Sequence, residues 1–70
     1  MNRSTRILDL WLNNDEPVYS HIFYLIDSDE ELQDYVEGEL TTGDAFGDGI
    51  IRDLLGDVDW RLVFESVKGI

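Results

Sequence analysis

The chain contains no cysteine, and its 70 residues include one proline, one histidine, one methionine and one lysine. Without cysteine there are no disulfides, no thiolate zinc sites and no cysteine nucleophile. One histidine leaves little for acid–base chemistry, since a triad needs His21 to meet one of only four serines. Beside Ser20 and Tyr24, His21 reads as a partly exposed side chain with no special role. The longest apolar run is 22–26, far short of the roughly 20 residues that span a bilayer. The opening stretch MNRSTRILDLWLNND lacks an unbroken apolar core and a small-residue cleavage site, so no signal peptide is expected. Cations are scarce, five against sixteen acids. That balance speaks against direct binding to nucleic acid or to an anionic membrane. The expectation is a soluble, cytoplasmic protein.

What is abundant is acid, and it is confined. Residues 1–26 sum to a net charge of −1 and residues 60–70 to +1, so the whole −11 falls within 27–59. Those 33 residues hold twelve acids and one base, Arg52; the densest part, DSDEELQDYVEGE over 27–39, has seven carboxylates and no cation. With 43% apolar residues and eight aromatics, the chain is nonetheless no disordered acidic tail. Seventy residues make one domain, 1–70, in the size range where about 60% of the unfolded surface is buried. Such a chain is marginal alone, which leaves homodimerisation open.

Apolar spacing predicts a mainly α fold, a compact bundle of four to five short helices. Ile7, Leu8, Trp11 and Leu12 share one helical face, with Ser4 or Thr5 as its cap. Asn13 and Asn14 break that helix, and Asn14 is a good N-cap for a second one, with Pro17 tolerated in its first turn. Val18, Tyr19, Ile22, Phe23, Leu25 and Ile26 cover over half of the second helix, which is expected at the centre of the core. A small β element over 21–26 is the alternative there. Ser28 and Glu31 form a capping box ahead of a third helix, whose Leu32, Val36 and Leu40 make an apolar stripe opposite Glu30, Glu31, Asp34 and Glu37. The glycine-rich 41–49 reads as a loop. A fourth helix carries Ile50, Ile51, Leu54 and Leu55, capped by Asp48 and ending at Gly56. Asp57 is expected to cap the last helix, with Trp60, Val63, Phe64 and Val67 on its apolar face and Gly69 closing it. Trp11, Phe23, Trp60 and Phe64 are read as core.

The carboxylates carry the functional expectation. Glu30, Asp34 and Glu37 are successive neighbours on one helical face, about 5–6 Å apart at Cβ, against one phosphate per 3.4 Å along a DNA strand. Such a face imitates a row of phosphates, with Asp27 and Glu31 beside it and Asp44 and Asp59 as flanks. Tyr35 at its edge and Phe46 at the tip of the acidic loop are the candidate hot-spot aromatics. Three plain readings compete: a solvated helix face, helix-start roles for Asp29, Glu30, Glu31, Asp48 and Asp57, and salt adaptation by ten aspartates. Salt adaptation spreads acids over all faces, whereas these cluster.

Metal and catalytic sites are not expected. D-A-F-G-D-G at 44–49 echoes a calcium loop, but Phe46 and Leu55 stand where two principal ligands belong. Paired carboxylates for glycoside hydrolysis need a cleft that so small a core hardly encloses. The chain is read as a non-enzyme with no cofactor and no metal.

One segment carries a resemblance. LWLNNDEPVY at 10–19, with Trp11, Leu12, Asn14, Asp15, Glu16 and Tyr19, looks like a W-L-x-N-D-E-x-x-Y element found in short acidic proteins of phages and mobile elements, and Asp59-Trp60 echoes their C-terminal helix. In size and charge the chain resembles the nucleic-acid-mimicking inhibitors of the anti-CRISPR and antirestriction type. That resemblance implies a host-cell cytoplasmic inhibitor whose partner is a basic nucleic-acid-binding host protein or complex. The alternative is a small interaction module of antitoxin or adaptor type, working through an apolar face, with acidity serving solubility or salt adaptation.

Overall fold

Five amphipathic segments form five helices in the computed structural model, which describes residues 2–70: α1 (Arg3–Asn14), α2 (Glu16–Leu25), α3 (Asp29–Leu40), α4 (Ala45–Leu55) and α5 (Trp60–Lys68). Among the described residues there is no strand, so the β alternative over 21–26 gives way to the end of α2. The helices join in a mainly α bundle. No helix among the described residues is long and apolar enough to cross a membrane.

Each start is set by an oxygen that accepts one of the first, otherwise orphaned, N–H groups of the helix. Ser28 performs this for α3 as expected, accepting from Glu31 N at 3.2 Å. The other four caps differ from the sequence expectation, each for a physical reason. Asn2, not Ser4 or Thr5, caps α1 by accepting from Thr5 N at 2.8 Å, which frees Thr5 to be buried. Asn14 stays inside α1, its side chain donating to Leu10 O at 2.6 Å, so Asp15 caps α2 instead. Asp44 replaces Asp48 at α4: its carboxylate accepts from Gly47 N, and Gly47 permits this approach because a Cβ there would lie 3.0 Å from Asp44 Oδ2. Asp59 replaces Asp57 at α5, accepting from Leu62 N at 3.2 Å. Asp57 belongs to the turn that leaves α4, its N–H donating to Leu54 O. The helix also runs through 45–49, which the sequence reads as loop. Gly69 ends α5 at φ 77, the left-handed conformation expected of it.

The core is aliphatic. Leu12, Ile22, Leu32, Val36, Val63 and Val67 are essentially inaccessible to solvent. The central helix is α5, which packs against α1, α2 and α3, while α4 rests on α3. This displaces α2 from the centre assigned to it by its apolar content. Its Val18 and Ile22 are buried, as is Ile26 just beyond it, but Tyr24 and Leu25 are exposed and Phe23 is partly so. Trp11, Trp60 and Phe64 pack against the core while only half-buried.

Candidate functional site

The capping of α3 aims its first turn at solvent with three consecutive acids, Asp29, Glu30 and Glu31. The partial positive charge of a helix N-terminus favours carboxylates there. Asp29 also accepts from Glu30 N at 3.0 Å, closing the turn. With Leu32 and Val36 buried, the helical period turns Glu30, Glu31 and Asp34 outward, and all three are exposed. Asp27 is exposed just ahead of the cap. None of these four carboxylates has an ion-pair or hydrogen-bond partner among the described residues. They make one exposed acidic surface.

Glu37, expected to be bare, is not. Arg52 of α4 donates Nε–H to Glu37 Oε1 at 2.9 Å, so the acidic face ends at this half-neutralised margin. Asp44 and Asp59, expected as flanks, lie at the starts of α4 and α5, each with one oxygen engaged as a cap. Asp48 leaves the surface altogether. It is buried, and its two oxygens accept from Thr42 N at 2.8 Å and Gly43 N at 3.0 Å. That carboxylate folds the 41–44 loop back onto α4.

Tyr35 is half-buried, its ring stacked on His21 with centroids 4.3 Å apart and planes at 12°. Desolvation, reinforced by the charges of Glu39 and Asp15, raises its phenol above the ordinary value. His21 is thus packed on an aromatic ring. Phe46 is not at a loop tip but in the first turn of α4, 78% exposed. Among the described residues, no three His, Asp or Glu side chains gather as a metal site.

The sequence reading missed an apolar groove of about 330 Å³ between α1 and α4. Ile7 and Trp11 form one wall and Ile51, Leu54 and Leu55 the other, with Leu40 from the end of α3 completing it. Each wall is legible in the sequence as an apolar helix face, but spacing within one helix does not show that α1 and α4 stand side by side and leave these faces partly uncovered.

No protein-family model, no curated protein and no solved structure matches this chain.

Proposed function

We propose that this protein is a non-catalytic inhibitor that imitates nucleic acid, with the exposed face of α3 docking into the basic channel of a nucleic-acid-binding host defence protein or complex. The observation that carries this reading is Asp34. It lies beyond the first turn, so the helix N-terminus does not account for it. It is exposed and unpaired, one helical turn from Glu30 and Glu31. Like charges at that spacing cost an isolated helix a few tenths of a kcal/mol per pair, and no ion pair among the described residues offsets this. A partner's arginines do, through paired N–H donors on each carboxylate. The mechanism is occupancy: the carboxylates take the place of phosphates and exclude DNA or RNA. Such a target lies in the cytoplasm of the host cell, and likeness to phage and mobile-element inhibitors fits the type.

The test is capture from host extract on the immobilised chain, followed by elution with duplex DNA. Retained nucleic-acid-binding proteins that DNA displaces support the reading. Equal capture by the variant Glu30→Gln/Glu31→Gln/Asp34→Asn overturns it. A second reading, a small interaction module, is favoured by the apolar groove between α1 and α4, which phosphate mimicry leaves unused.

A further inference from the structure

We infer that the α1–α4 face is the interface of a symmetric homodimer, covered by the same face of a second copy. Two observations meet there. The first is apolar exposure. Ile7 and Leu54 wall the groove, yet both are more than half exposed. Leu10 follows one turn after Ile7 on α1, and Ile50 and Phe46 precede Leu54 at successive four-residue steps on α4, all three exposed. Among the described residues, five of the nine exposed large hydrophobic side chains therefore belong to these two helices.

The second is charge, which identifies the occupant. Of five cations, Arg52 pairs with Glu37, Arg61 approaches Glu65 at 3.9 Å, and Lys68 donates to backbone carbonyls of α2. Arg3 and Arg6 have no acceptor among the described residues, and both are exposed on α1. They stand one turn before Ile7 and Leu10, so they edge the apolar surface on its α1 side. On the α4 side the exposed charge beside Leu54 is an acid, Asp53, while Arg52 is turned to Glu37. The face is thus apolar along its middle, basic along one edge and acidic along the other. A two-fold axis lying in the contact plane and running along the apolar stripe brings the basic edge of each copy against the acidic edge of the other. A basic partner would leave the edge of Arg3 and Arg6 mismatched, and a neutral one would leave both edges unmatched. A second copy satisfies both.

The inference is independent of the nucleic-acid-mimic reading, since it uses none of the α3 carboxylates. Sedimentation equilibrium of the full chain, up to about 100 μM where a micromolar dimer is populated, is the test. The expected species has twice the 8.1 kDa chain mass. Leu54→Glu and Ile7→Glu, both at exposed positions, should each raise the dissociation constant at least about tenfold with unchanged helix content. Arg6→Glu and Asp53→Arg should each weaken self-association, and their equimolar mixture should restore a dimer. The inference is overturned by a monomer over the whole range, including one that engages a different protein through this face. It is equally overturned by a dimer insensitive to Leu54→Glu and Ile7→Glu, or by a mixture of the two charge variants that stays monomeric.

Discussion

The hydroxyl of Thr5, fully buried on α1, accepts a hydrogen bond from the backbone N–H of Asp59 at 2.9 Å, joining residues 54 positions apart. Beside it, Asn2 Nδ2 donates to Asp57 O at 2.6 Å. The first helix therefore fixes the approach to α5, and with it the choice of Asp59 over Asp57 as cap. Thr5→Val keeps the shape and removes the acceptor. It should lower stability by about 1–3 kcal/mol, the cost of an unsatisfied buried donor, read as a lower urea midpoint at unchanged slope.

Asp48 is placed to show that not every acid in the block is a surface charge. Its two oxygens serve two backbone donors, Thr42 N and Gly43 N. Asp48→Asn replaces one acceptor with a donor that faces another donor. A loss of about 1–3 kcal/mol in denaturant unfolding is expected, whereas Asp53→Asn, at an exposed position, should stay within about 0.5 kcal/mol.

Lys68 closes the far end of α2. Its Nζ donates to Phe23 O at 2.7 Å and lies 5.8 Å and 5.9 Å from the ring centroids of Phe23 and Phe64. A cation at a helix C-terminus is favourable, and over aromatic faces more so. Lys68→Met retains the apolar stem and loses the charge, so a stability loss of about 1–2 kcal/mol is expected, visible as a lower thermal midpoint.

Tyr35 makes part of the stability depend on alkaline pH. Its phenol titrates above the ordinary 10.0 because burial and the charges of Glu39 and Asp15 disfavour the phenolate. The folded state then holds this proton more tightly than the unfolded chain, so the contribution is fully present below pH 10.0 and is lost as pH rises through the raised value. Subtracting the phenolate absorbance titration of Tyr35→Phe from that of the wild type should leave a midpoint above 10.0. The variant should also lose less stability on going alkaline. A midpoint at or below 10.0 contradicts the burial of Tyr35 near Glu39 and Asp15.

Local signals carried much of the fold. The Ser28 cap, the stripe of Leu32 and Val36, and the closing Gly69 depend on neighbours within a few residues, and all are found. Where two good caps stand close together, sequence does not choose between them. Between Asp57 and Asp59 the choice follows from the distant Thr5 and the burial of Val58, and between Asn14 and Asp15 from the bond Asn14 makes back to Leu10 O. Glycine propensity hid the start of α4, because a weak helix former is overridden by an Asp44 cap and a buried Asp48. The acidic face was legible for Glu30, Glu31 and Asp34, whose direction follows from helical period alone. It was not legible at Glu37, whose partner Arg52 is fifteen residues away.

The most direct test of phosphate mimicry compares two charge-matched variants against a purified captured target at two salt concentrations. One variant is Glu30→Gln/Glu31→Gln/Asp34→Asn; the other, Asp9→Asn/Glu16→Gln/Asp53→Asn, removes the same charge from α1, α2 and α4. If the α3 carboxylates hold the target, the first should lose at least about tenfold in affinity, or ~1.4 kcal/mol. The second should bind nearly as the wild type does, and added salt should weaken the wild type far more than the first variant. Equal losses in the two variants would mean that net charge alone matters, and would contradict the account.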